Sequence, residues 1–233
     1  MKKAFSLIMA LMLALTTFAQ KDVTKFLGIP VDGTKAQMIA KLKAKGFTPS
    51  TKPYKKGALT GTFNGRKVDL YVGTNNNKVY RIMVADQNEV DEPSIITRFN
   101  ILCDQFKKNP KYISFDEDYT IPDNENISYE MSINNKQYDA SFYQRPNLDS
   151  VAMAQAILNT REKLLQKYTE EQLKKPTEEI QKQIEAAGLE LVTELYSKKH
   201  VWIRIAKSEI SYKQYYILMY YDNEYNKANG EDL

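Results

Sequence analysis

Residues 58–84 read ALTGTFNGRKVDLYVGTNNNKVYRIMV, and this stretch decides how the chain folds. Asn64-Gly65 suits the two positive-φ positions of a type I′ turn, so 58–63 and 67–72 are expected to pair as a hairpin. A second turn over 73–77 returns a third strand at 79–84. Upstream, Thr34-Lys35-Ala36-Gln37 has capping-box spacing, and Met38, Ile39 and Leu42 recur at helical period. Gly46 stands where a left-handed residue ends a helix. The first unit is therefore a helix followed by a three-stranded meander.

The same order is expected twice more. Asp91-Glu92-Pro93 opens a helix that runs to about Lys107 and stops before Pro110. A weak strand over 112–115 follows, then a hairpin of 127–133 with 137–143 that turns at Asn134-Asn135-Lys136. The acidic loop 116–125 between them reads as solvated. Asp149 and Ser150 cap a helix over 151–168, striped by Met153, Ala156, Ile157, Leu164 and Tyr168. Pro176 interrupts, and 177–187 restarts with Ile180, Ile184 and Ala187 on one face, ended by Gly188. Strands are then expected at 189–196, 201–206 and 211–221.

Short meanders after helices define an α+β class: antiparallel meander sheets with helices packed on one face, repeated as helix-plus-three-strand units. The expected divisions are 1–19, 20–145 and 146–233, the last two forming one continuous domain or two packed lobes.

Residues 1–19 read as a signal peptide. Lys2 and Lys3 precede an apolar stretch over 4–18, and Thr17-Phe18-Ala19 offers small residues before a cut at Gln20. The stretch is shorter than the roughly 20 residues that span a bilayer as a helix, which weighs against an uncleaved anchor. The expected location is periplasmic or secreted, with no stable membrane insertion after cleavage. Loss of Lys2 and Lys3 lowers the formal charge from +4 to +2. With bases and acids interspersed, as over 163–182, nucleic acid is a disfavoured partner.

The chemistry available is narrow. One cysteine excludes an intrachain disulfide. Cys103 shares a helical face with Ile95, Phe99, Leu102 and Phe106, so it reads as a buried thiol and not a nucleophile. One histidine, His200, leaves too few ligands for a zinc site without several acids, and no metal or cofactor is expected. The motifs H-E-x-x-H, G-x-S-x-G, G-x-G-x-x-G and the P-loop are all missing from the sequence. His200 begins a strand and reads as structural.

The constellation that stands out is aromatic. Tyr212, Tyr215, Tyr216, Tyr220, Tyr221 and Tyr225 crowd the last expected strand, and Trp202 lies on the one before. There His200, Trp202 and Arg204 alternate with Val201, Ile203 and Ile205, which places the first three on the less apolar face. Such residues make a binding platform, or simply pair across strands. The candidate binding residues are Trp202, His200, Arg204, Tyr212, Tyr215 and Tyr216. Asp149-Ser150-Val151 also resembles a short O-glycosylation acceptor, against its reading as a helix cap.

The helix-plus-meander order resembles small envelope modules such as the tandem repeats of β-lactamase-inhibitor proteins, in topology alone. Phe26-Leu27-Gly28-Ile29-Pro30-Val31-Asp32-Gly33 and the close Tyr220-Tyr221-Asp222-Asn223…Asn229-Gly230-Glu231-Asp232-Leu233 resemble uncharacterised exported proteins of gut-associated Gram-negative anaerobes. That resemblance covers the two ends and implies no activity. The expectation is an exported, non-enzymatic protein that binds a protein, peptide or glycan. The alternative is a small hydrolase acting on glycan or peptide through carboxylates.

Overall fold

The computed structural model describes residues 22–116, 118–147 and 151–228, the side chains at 151 and 152 excepted. The leader expected over 1–19, Asp149-Ser150 and the terminal residues 229–233 lie outside the described residues.

Two compact units form. Among the described residues, one joins 23–145 to 195–228 and the other comprises 22 and 146–194. The sequence division kept 146–233 together, whereas residues 195–228 return to the first unit. The reason is strand pairing, as the sheet shows.

The first unit opens with a two-stranded ribbon, β1 (Lys25–Phe26) and β2 (Ile29–Pro30), turning through Leu27 and Gly28 at positive φ. Helix α1 (Lys35–Ala44) follows, its capping box formed by Thr34 and Gln37. It ends at Gly46 with φ +94, as the sequence predicts. Strands β3 (Thr48–Pro49), β4 (Leu59–Phe63), β5 (Arg66–Asn75) and β6 (Lys78–Asp86) then form a meander. Asn64 and Gly65 both take positive φ at the β4–β5 turn. Helix α2 (Glu92–Lys108) starts at Asp91, whose side chain accepts from the Ser94 N–H, with Pro93 in its first turn.

The second expected hairpin is not one. Residues Ile127–Ile133 form helix α3, between β7 (Tyr112–Ile113) and β8 (Asp139–Gln144). Ile127, Tyr129, Met131 and Ile133 alternate as in a strand, but Asn126 caps the Tyr129 N–H at 2.9 Å. As a helix the segment buries Ile127 and leaves Tyr129 and Ile133 exposed. The expected strand at 189–196 is helical as well. After α4 (Val151–Leu165) and α5 (Glu170–Lys174), helix α6 (Glu178–Ser197) runs straight through Gly188. Ile180, Ile184, Ala187 and Leu191 keep one helical period across that glycine, whose cost of about 1 kcal/mol is absorbed. Among the described residues, no helix is long and apolar enough to cross a membrane.

Strands β9 (His200–Lys207) and β10 (Tyr215–Asp222) complete an eight-stranded antiparallel sheet of order β3-β4-β5-β6-β10-β9-β8-β7. The three separate meanders expected are thus replaced by one sheet. Its centre is the pairing of β10 with β6, where Tyr220 lies opposite Met83 and Tyr221 opposite Ile82. Helices α1 and α2 contact the sheet and share one core with its inner face. That core holds Met38, Leu42, Leu70, Ile82, Phe99, Leu102, Phe142, Ile203 and Met219. Each such side chain contributes about 1.5–3 kcal/mol of burial. The architecture is α+β, as expected.

Candidate functional site

The period of two along each strand sorts residues to opposite faces of this sheet. Val201, Ile203 and Ile205 on β9 are buried in the core, as are Ile217 and Met219 on β10. His200, Trp202 and Arg204 are partly exposed on the other face, with Tyr216 and Leu218 of β10. Register brings further side chains alongside. Tyr71 and Met83 continue the row of Tyr220 and Trp202, and Asp139 lies opposite Arg204.

At the centre, the rings of Trp202 and Tyr220 stack 3.8 Å apart at 12°. Next along the ladder, His200 stacks on Tyr143 at 5.0 Å and lies 6.4 Å from Trp202. Two guanidiniums flank the stack. Arg81 lies 4.8 Å from the Tyr220 ring and 5.4 Å from that of Trp202, and Arg204 lies 5.0 Å from Trp202.

Each arginine is held by its own carboxylate. Arg81 donates from Nε and Nη2 to the two oxygens of Asp222 at 2.6 and 2.7 Å. Arg204 donates likewise to Asp139, both at 2.6 Å. Asp222 is fully buried, and it also accepts from Trp202 Nε1 at 3.1 Å and from Lys227 at 3.0 Å. Burial pushes its carboxyl up, but Arg81, Trp202 and Lys227 outweigh that and hold it below the usual range. The phenols of Tyr71, Tyr143, Tyr216 and Tyr220 are raised by burial, so all four stay protonated at neutral pH and keep a donor hydrogen.

His200 Nε2 lies 3.2 Å from Ser141 Oγ. A serine–histidine pair becomes nucleophilic when a carboxylate orients the second ring nitrogen. Here the neighbouring Asp222 has given both oxygens to Arg81. His200, Asp222 and Glu224 also bring potential ligand atoms within 4.8 Å of one another. Lys227 bridges Asp222 and Glu224, so two protein cations already occupy the charge a metal ion would need. The arrangement is a balanced polar network under an aromatic ladder.

Of the six sequence candidates, Trp202, His200, Arg204 and Tyr216 come together on this face. Tyr215 does not: it turns into the core and is fully buried, because the strand begins at 215 and its odd positions face the helices. Tyr212 does not either. It lies in the loop before β10, 84% exposed, beside Ile210 at 93%. Sequence reading missed Arg81, Asp222, Asp139 and Tyr143 and did not single out Tyr220 as the stacking partner. Their grouping depends on register between strands up to 141 residues apart.

No family model matches the chain, and no match is found among curated proteins or among solved structures.

Proposed function

We propose that the protein is a non-enzymatic binding protein that recognises a protein, peptide or glycan through the sheet face around Trp202 and Tyr220. One observation carries this reading. Within its unit, the face turned away from the core concentrates Tyr71, Tyr143, Tyr216, Tyr220, Trp202, Arg81 and Arg204, the residue types that dominate interface energetics. Their charges are paired in place, so the face favours a partner read by shape and hydrogen bonding. The ring faces of Trp202 and Tyr220 are largely used on each other and on the guanidiniums, which leaves edges and hydroxyls to the partner. Edges and hydroxyls suit a peptide backbone or protein surface better than a stacked sugar.

The test is capture from periplasmic extract with the chain that follows the expected leader as bait, set beside the double variant Tyr71→Ala/Tyr216→Ala. These two lie on the face but outside the central stack. A retained component that the variant loses, at equal thermal stability, supports the reading. Capture indifferent to the variant, or hydrolysis of glycan or peptide substrates that His200→Ala abolishes, overturns it.

A further inference from the structure

Residues 33–68 contain nine cations and no acid: Lys35, Lys41, Lys43, Lys45, Lys52, Lys55, Lys56, Arg66 and Lys67. The whole chain has 33 basic and 29 acidic residues, so everything outside this segment sums to −5. The near-neutral total hides a strong asymmetry.

The segment folds locally. It comprises α1, the edge strand β3, the short 3₁₀ turn Pro53–Lys55, β4 and the start of β5. The N–H of Phe47 bonds back to the carbonyl of Leu42, tying the end of α1 to the sheet edge. The N–H of Ser50 bonds to Ala58, and that of Ala58 to Lys55, closing the loop onto β4. Every cation but Lys55 is exposed. Among the described residues Lys55 alone of the nine forms an ion pair, with Asp69. Lys41 and Lys43 suit the negative end of α1, but that explains nothing about the loop or the hairpin.

We infer that this cationic sheet edge docks the protein on the surface of a membrane rich in anionic phospholipid. Eight of the nine charges are lysines, compact and strongly hydrated, which suit mobile headgroups; planar arginine forks would suit fixed phosphates and bases. Tyr54 stands 76% exposed among Lys52, Lys55 and Lys56, with the Nζ atoms of Lys52 and Lys55 6.0 and 5.9 Å from its ring. An amphipathic ring between lysines fits the headgroup layer. Single-stranded nucleic acid would need several exposed aromatics for stacking, and here Phe47 is buried and Phe63 half-buried. The contact is peripheral and electrostatic, and it borders the aromatic face at Lys55, which pairs with Asp69 beside Tyr71; the variants below leave those three residues in place.

The experiment is sedimentation of the chain with vesicles of phosphatidylglycerol and phosphatidylcholine, against phosphatidylcholine alone, at 50 and 500 mM salt. Binding to the anionic vesicles, lost at high salt and with neutral vesicles, is expected. The variant Lys41→Gln/Lys43→Gln/Lys45→Gln should weaken it about 100-fold, near five-fold per lysine. Lys52→Gln/Lys56→Gln, on the loop, should weaken it about 20-fold. All five positions are exposed, and unchanged melting confirms that each variant folds. No binding to anionic vesicles, binding that both variants retain in full, or tighter binding to a DNA duplex of matched charge overturns the inference.

Discussion

Trp202 and Tyr220 face each other across β9 and β10 with their rings 3.8 Å apart, and Asp222, two residues beyond Tyr220, accepts the indole N–H. Cross-strand pairing thus locks the stack from the side and from below. A double-mutant cycle of Trp202→Ala and Tyr220→Ala in urea unfolding should return a coupling of about 0.5–1.5 kcal/mol. Additive costs would mean the rings merely share a surface.

The Arg81–Asp222 pair is asymmetric, with the arginine side chain 25% exposed and the aspartate fully buried. Removing the carboxylate strands Arg81, leaves Lys227 with Glu224 alone, and leaves the indole N–H without its acceptor. Asp222→Ala should cost about 3–5 kcal/mol. Arg81→Met should cost less, since Lys227 and Trp202 still hold Asp222. Equal losses in chemical denaturation would refute this asymmetry.

Burial lowers the pKa of His200 below its ordinary 6.5, and the opposing pull of Asp222 and Glu224 does not restore it. The folded state therefore resists protonation more than the unfolded chain does. As pH falls through about 6.5 the unfolded chain takes the proton first, so stability declines from there down towards the folded value. His200→Gln should flatten that slope between pH 7 and 5. An unaltered slope in urea midpoints would assign the dependence to other groups.

Burial pushes the Cys103 thiol up to about 12, and the residue lies inside the core with Phe99 and Leu102. A disulfide reagent at pH 8 should leave it unmodified in the native protein and label it fully in denaturant. Rapid native labelling would place it near the surface.

Gly61 has no room for a side chain. A methyl group there would meet the ring of Phe47, itself buried beneath β4. Gly61→Ala should lower the urea midpoint by the equivalent of about 1–3 kcal/mol with an unchanged slope. A neutral effect would show that the Phe47 ring can give way.

Local signals were legible wherever the chain closes on near neighbours. The Thr34–Gln37 capping box, the helix start at Asp91-Glu92-Pro93 and the Asn64-Gly65 turn sit where the sequence puts them. Residues 127–133 and 189–196 misled because both patterns fit two periods. In the first a cap at Asn126 settled the choice, and in the second a stripe running past Gly188 did so. Half the site was legible too: the alternation of His200, Trp202 and Arg204 needs no partner to be seen. The cationic run at 33–68 was also visible in the letters, but a whole-chain charge sum averages it away.

The letters alone were enough for the Asn64-Gly65 hairpin, the apolar face of β9, and the presence of one cysteine and one histidine. These follow from periodicity, turn geometry and residue count, all of them local properties. That β10 enters between β6 and β9, and so that Arg81 meets Asp222 beside Trp202, is a product of long-range packing. Strand order over such separations is set by the burial of a shared apolar face, a cooperative quantity that no single stretch of sequence records.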